Sequence, residues 1–307
     1  EGNGMKPMNG FLVAYKPVGM TSSDLVVSVR RMLPRRTAIG HGGTLDPEAS
    51  GVLPLCIGRA TRLFDYIIDK TKVYVAQIQL GEETDTQDRT GKVVCRKPVT
   101  VGAQELAAVL PRFMGEIQQI PPMYSALKRD GKRLYQLARN GETVALEPRR
   151  CRVDEVRLLE RTGEHCYRIQ VACGKGVYIR TLCHDIGKAL GCGAYMASLE
   201  RVSAGVFTLE NALSKDEIAI LCADGRIQEA LLPMDAAIRH LPEVRVGISA
   251  AHAVRNGNPL KPEWIGDALP ACGETVRVYL EDAFAGIGCV EPDGQVRFRA
   301  MLLEEKA

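Results

Sequence analysis

Twelve residues, Gly40-His41-Gly42-Gly43-Thr44-Leu45-Asp46-Pro47-Glu48-Ala49-Ser50-Gly51, concentrate what chemistry needs. The carboxylate of Asp46 stands among four glycines and directly before a proline. Glycine admits positive φ and close backbone approach. Proline fixes its own φ and drives the preceding residue, here Asp46, out of the helical region. The expected product is a stiff, bent loop presenting an acid at the surface, the kind of segment on which catalytic groups sit. A plain turn in which Asp46 bonds its own backbone satisfies the same residues. Two further side chains stand where they could join the acid. Tyr74 opens an alternating run and either lines a cleft or fills the core. Arg180 follows Gly174-Lys175-Gly176 and opens a helical pattern, as either a site cation or a surface arginine.

The elements that must position these residues are legible in outline. Phe11–Tyr15 and Gly51–Ile57 are apolar runs that predict buried strands. Between them a helix starts at Ser22 or Ser23, with Asp24 in its first turn, and Pro34 ends it. Arg59 and Arg62 precede a short helix that runs to Ile68. Val73–Leu80 alternates with period two, placing Tyr74, Ala76, Ile78 and Leu80 on one face. Thr84-Asp85-Thr86-Gln87-Asp88 reads as a polar loop, either a solvated turn or two acids able to hold a metal. Ala103–Met114 is an amphipathic helix, and Tyr167, Ile169 and Val171 mark another strand. Leu182, Cys183, Ile186 and Leu190 recur at helical spacing up to Gly191, with His184 on the helix surface. Ser214-Lys215-Asp216-Glu217 is a capping box. From Pro242 short apolar runs broken by Gly, Pro, Asn and Asp predict a second, mostly β domain with strands near Val276–Leu280, Gly286–Val290 and Gln295–Met301. The expected division is a flexible tail over 1–9, a main domain over 10–241 and a small domain over 242–307.

The 307 residues, 46% of them hydrophobic, suffice for a substantial core, and no apolar run is long enough to span a membrane. The ten cysteines form no C-x-x-C pair, and no secretory signal is visible, so reduced thiols in a cytoplasmic protein are expected. The net charge of +3 is unevenly spread. Residues 121–152 carry eight basic side chains, Lys128, Arg129, Lys132, Arg133, Arg139, Arg149, Arg150 and Arg152, against three acids. Arg30, Arg31, Arg35 and Arg36 form a second cluster. Such clusters fit a polyanion, or simply a solvated helix face. In the first of them Tyr135 and glycines interleave with the cations, the ingredients of RNA recognition.

Eight segments in one order carry a family resemblance. They are Lys16-Pro17-Val18-Gly19-Met20-Thr21-Ser22, Gly40–Pro47, Gly51-Val52-Leu53-Pro54, Gly58-Arg59-Ala60-Thr61, Lys72-Val73-Tyr74, Thr84-Asp85-Thr86, Pro121-Pro122-Met123-Tyr124-Ser125-Ala126 and Gly176–Leu182. With these, the chain resembles the bacterial TruB family of tRNA pseudouridine-55 synthases over nearly its whole length. It departs from the family at Gly42 and Ser50, where threonine is usual.

The resemblance implies an α+β pseudouridine-synthase fold: a mixed, largely antiparallel sheet with a central cleft, and a PUA-like C-terminal β domain. It implies an isomerase that converts uridine 55 in the T loop of tRNA to pseudouridine, needing no cofactor and no metal because product and substrate are isomers. Asp46 would be the catalytic aspartate, ionised at rest, acting at C1′ or on the 2′-proton. Arg180 would pair with it, and Tyr74 would stack on the base and help move the C5 proton. His41 would pack against displaced RNA, and Tyr178 and Leu199 would line the pocket. Lys16, Arg59, Lys128, Lys132 and Arg139 would contact the T stem-loop. The 121–152 insertion would close over the T arm, as in the stand-alone bacterial form, and a monomer acting without guide RNA, obligate protein partner or membrane is implied. A tRNA-binding or folding protein on the same scaffold is the alternative.

Overall fold

The computed structural model describes residues 8–68, 70–123, 128–129, 132–134, 146–265 and 269–303. Its strands, in chain order, are β1 (Gly10–Lys16), β2 (Ile39–His41), β3 (Ala49–Ile57), β4 (Lys72–Leu80), β5 (Glu82–Thr84), β6 (Val93–Arg96), β7 (Gly115–Gln119), β8 (Lys128–Arg129), β9 (Lys132–Arg133), β10 (Arg149–Gly163), β11 (Cys166–Cys173), β12 (Ala194–Ala204), β13 (Phe207–Thr208), β14 (Glu243–Val246), β15 (Thr275–Leu280), β16 (Ala283–Val290) and β17 (Val296–Met301).

The main sheet runs in the order β1-β3-β12-β4-β11-β10-β7, with β2 added to β3 and β13 to β12. Its pairings are antiparallel except β3–β12. In that parallel pair Leu199 lies opposite Ala49 and Arg201 opposite Gly51. On the other side of β12, Arg201 lies opposite Tyr74. The centre of the sheet thus gathers the end of the Asp46 loop, Leu199, Arg201 and Tyr74 onto three adjacent strands. Gly51 has φ +109°, and a Cβ there would lie 2.2 Å from the Arg201 carbonyl oxygen, so only glycine lets β12 approach.

Two helices cover one face of the sheet: Leu25 and Val29 of the helix Ser22–Met32 pack with Leu53 and Ile218 over β3, and Leu182 and Ile186 of the helix Ile179–Ala189 pack with Ile78 and Ile169 over β4 and β11. On the opposite face Val52 and Cys56 of β3 pack with Phe207 and Ile238. The four-stranded C-terminal sheet, β14-β15-β16-β17, has its own core. Its Ile287 and Leu302 also enter a cluster with Phe11, Val13 and Phe207. Across this junction the Tyr279 hydroxyl donates to Asp235 at 2.6 Å, and burial, with that carboxylate, pushes the Tyr279 phenol up to about 12.

Several expectations shift. The helix cap is Thr21, not Ser22 or Ser23: its hydroxyl accepts from the Asp24 N–H while Asp24 accepts from the Thr21 N–H. Ala103–Val109 is α-helix, but Pro111 lacks the N–H that would continue it, and Leu110–Phe113 tightens to 3₁₀. The basic insertion ends early, because Arg149–Arg152 already belong to β10 and pair with β7. His184 is only 14% exposed in its side chain, not on the helix surface. All ten cysteines are free, and burial pushes Cys56, Cys173 and Cys183 up to about 12. Among the described residues, no helix is long and apolar enough to cross a membrane and no three or more His, Cys, Asp or Glu side chains group as metal ligands.

Candidate active site

Residues 42–48 form the expected loop, joining β2 to β3, and most of its backbone carbonyls are bonded. The Gly42 N–H donates to Pro54 O at 2.7 Å. Arg201 donates from Nη2 to Gly43 O at 3.0 Å and from Nη1 to Thr44 O at 3.4 Å. Ser22 Oγ donates to Leu45 O and accepts from Leu45 N–H, at 3.0 and 2.9 Å. Asp46 O accepts from Ala49 N–H at 3.0 Å, and Pro47 O accepts from Gly19 N–H at 2.8 Å and from Lys16 Nζ at 3.3 Å. Every carbonyl from Gly43 to Pro47 is therefore engaged, and the loop cannot shift without breaking a bond. The Asp46 side chain, 46% exposed, projects from this frame.

Its partner comes from across the sheet. Arg180, in the first turn of the helix Ile179–Ala189, places Nη2 2.8 Å from Asp46 Oδ2 while itself 6% exposed in its side chain. Its Nη1 reaches Thr86 O at 3.3 Å and lies 3.6 Å from Asp88 Oδ2. Asp88 Oδ1 accepts from Thr86 Oγ1, Thr90 N–H and Thr90 Oγ1 at 2.7, 2.9 and 2.6 Å. The Thr84–Asp88 turn is thus only partly solvated: Asp85 is exposed, but Thr84 and Asp88 are buried, and Asp88 braces the guanidinium from behind. Gln119 secures the helix start, accepting from Tyr178 N–H at 3.0 Å and donating to Tyr178 O at 3.2 Å.

Asp46 and Arg180 open onto a cavity of about 190 Å³, lined also by Leu45, Tyr74, Tyr178 and Leu199. That volume holds about six waters at their liquid spacing, or one pyrimidine ring. Tyr74 is 8% exposed. Burial raises its phenol above the ordinary value, and the Arg201 guanidinium facing its hydroxyl works in the opposite direction. A larger cavity, about 590 Å³, lies elsewhere, near Arg96, Lys97 and Tyr195. Its cations are already matched, Arg96 to Glu82 at 3.0 Å and Lys97 to Glu83 at 3.9 Å.

Of the residues singled out from sequence, Asp46, Tyr74, Arg180, Tyr178 and Leu199 converge on one cavity. His41 ends β2, half-buried; burial, with the Arg201 charge, lowers its pKa, and its Nδ1 is enclosed without a hydrogen-bond partner. Lys16 does not stand ready for a ligand. It is fully buried beneath the loop, with Nζ donating to the carbonyls of Pro17, Met20 and Pro47, and burial lowers its pKa to about 8. Arg59 is turned to the C-terminal sheet, where its guanidinium donates to Leu303 O, and Arg62 bonds Met301 O at 2.9 Å. Lys128 and Lys132 lie on the paired strands β8 and β9. Arg139 lies outside the described residues.

Ser22, Asp88, Gln119 and Arg201 are site-forming residues that sequence reasoning missed. Ser22 carried a signal, but a local one, as a helix cap. Arg201 carried none beyond standing two places after Leu199.

A fold of this topology, with an arginine-paired carboxylate at a nucleobase-sized cavity, defines a pseudouridine synthase scaffold. Solved structures agree: a Cbf5-Nop10-Gar1 complex has a chain 29% identical over 97% of this chain and 84% of its own, with TM-score 0.71. A chain of an H/ACA RNP bound to a substrate RNA containing 2′-deoxyuridine is 27% identical over 97% and 86%, with TM-score 0.72. The family model "TruB family pseudouridylate synthase (N terminal domain)" matches residues 30–179, and "tRNA pseudouridylate synthase B C-terminal domain" matches 180–239. Proteins named tRNA pseudouridine synthase B are 43% identical in Pseudomonas fluorescens (strain Pf0-1), over 97% of both chains, and 44% identical in Dechloromonas aromatica (strain RCB), over 92% of both. The chain belongs to the TruB family.

Proposed function

We propose that this protein isomerises a uridine of tRNA to pseudouridine, the target being uridine 55 of the T loop, with Asp46 as the catalytic carboxylate. The observation that carries the reading is the Asp46–Arg180 pair, 2.8 Å apart, on a loop whose carbonyls from Gly43 to Pro47 are engaged, at the mouth of a cavity that fits one base. The relatives' common name supports tRNA as substrate.

The geometry supports the following roles. A uridine inside a folded loop must leave its stack to enter the cavity, at a cost of a few kcal/mol that contacts with Tyr74, Tyr178 and Leu199 offset. Asp46, held by Arg180, then acts at the sugar–base junction. The N1–C1′ bond breaks, the base turns within the cavity, and a C5–C1′ bond forms. The proton on C5 leaves and one is gained at N1, so no atoms are exchanged with a cofactor. Tyr74 lines the cavity, which supports its stacking on the base and helping to move the C5 proton.

The protein acts as a monomer in the cytoplasm without guide RNA; its high identity to the tRNA pseudouridine synthase B relatives favours this over the assemblies of its more distant structural neighbours. The basic stretch before β10, much of which lies outside the described residues, contacts the T arm, and the PUA-like C-terminal sheet touches the acceptor side. The test is tritium release from a tRNA transcript labelled at C5 of uridine, with native protein and Asp46→Asn side by side. The native protein alone is expected to release tritium, dependent on the T-loop uridine, while both bind tRNA equally. Equal loss of binding and turnover in Asp46→Asn would refute the role given to Asp46, and tight binding without release by native protein would leave a binding protein.

A further inference from the structure

Arg201 is 1% exposed, and among the described residues no carboxylate lies within ion-pair distance of it. A buried cation without a counter-charge is costly, and here the neighbours answer it only with neutral oxygens. Nε donates to Val52 O at 2.8 Å, Nη1 to Thr44 O at 3.4 Å and Nη2 to Gly43 O at 3.0 Å. The remaining direction faces the Tyr74 hydroxyl from the directly opposing position on β4. The bond to Val52 also closes a gap in the sheet. β12 pairs with β3 over residues 49–51 and β2 pairs with it over 55–57, leaving Val52 O to Arg201 and Pro54 O to the Gly42 N–H.

The glycines of the loop fit this cation. Gly43 has φ +102°, and a Cβ there would lie 3.7 Å from Arg201 Nη1; Gly51 abuts the Arg201 backbone. The guanidinium's planar fork reaches three carbonyls at once, which the single ammonium of lysine on its flexible stem cannot reproduce.

We propose that Arg201 is a positioning residue for the reaction: one enclosed guanidinium sets the Asp46 loop and the Tyr74 phenol in register across the cavity. This rests on the reading of Asp46 and Tyr74 as the reacting pair. Arg201 touches no substrate and acts through those two residues. Displacement of reacting groups by an ångström is enough to cost about a hundredfold in rate. The loss falls on the chemical step, because tRNA affinity comes mainly from phosphate contacts spread over the surface.

The test compares Arg201→Lys and Arg201→Met with the native protein in single-turnover tritium release, tRNA affinity and thermal unfolding. Arg201→Lys keeps the buried charge and guards against simple misfolding. The expected result for Arg201→Lys is a rate at least about a hundredfold below native, with tRNA affinity and unfolding temperature nearly unchanged. Tyr74→Phe added to Arg201→Lys should cost much less than Tyr74→Phe alone, since the phenol is already out of place. A rate in Arg201→Lys within about threefold of native would overturn the proposal, as would full additivity or a parallel fall of rate, affinity and stability in both variants. Absence of release by native protein would instead overturn the synthase reading, and this proposal with it.

Discussion

Gly42, where the TruB family usually has threonine, makes the sharpest stability prediction. A Cβ at position 42 would lie 2.4 Å from Ile67 Cδ1, 3.2 Å from Ile67 Cγ1 and 3.6 Å from Pro54 Cβ. Gly42 does not have positive φ, so alanine meets no backbone strain there and the conflict is purely steric. Ile67 is 4% exposed and packed with Val52, Leu63 and Ile287, so it cannot swing clear. Overpacking of this kind costs about 1–3 kcal/mol, against about 0.4–1 kcal/mol regained from the stiffer unfolded chain. Gly42→Ala should therefore destabilise by about 1–2 kcal/mol, or roughly 2–8 °C in Tm for a domain of this size. Ile67→Val removes the Cδ1 atom at 2.4 Å and alone costs about 0.5–1.5 kcal/mol. In the double variant the new methyl occupies the vacated space, and the two losses should cancel by at least about 1 kcal/mol. Thermal and urea unfolding of the four proteins completes the cycle. Single-turnover rates should follow the same order, because residue 42 lies four places before Asp46. Additive losses, or a Gly42→Ala protein as stable as native, would refute the steric account of why this chain tolerates glycine where its family has threonine.

Lys16 predicts a pH dependence. Its folded pKa of about 8 lies below the unfolded value of about 10.4, so the unfolded chain binds more protons between those limits and stability rises with pH across them. The gap in stability between native protein and Lys16→Met should shift in favour of native from pH 8 to 10, and a flat gap in urea unfolding would contradict the depressed pKa. Neutralising Lys128, Arg129, Lys132 and Arg133 together should weaken tRNA binding and reduce its logarithmic salt slope by up to about 3; an unchanged slope would remove that stretch from the interface. Arg59→Ala with Arg62→Ala frees the carbonyls of Leu303 and Met301. Faster amide hydrogen exchange in β17, with the Asp46 loop unchanged, is the expected outcome, and unchanged exchange would show that apolar packing alone holds the C-terminal sheet.

Much of this architecture was determined by the sequence itself, because the signals are local. The period-two run of β4 and the helical spacing after Ile179 each follow from neighbours a few residues apart. The Ser214–Glu217 capping box joins residues three apart and forms as read. The ordered motifs identified the family before any contact was visible, and with it the α+β fold. The tertiary structure alone decided what lay across long separations. Ser22 looked like a helix cap and instead pins Leu45, 23 residues away. Lys16 looked like an RNA contact and is spent beneath Pro47, 31 residues away. Asp88 lay in a loop with the composition of a solvated turn, yet its burial beside Arg180 makes it a brace for that guanidinium. Arg201 binds carbonyls 158 and 157 residues earlier in the chain, and only the parallel pairing of β12 with β3 brings it there. Residue type and spacing declare which groups can act. Which of them act, and which hold the others in place, depends on contacts between segments that no local pattern encodes.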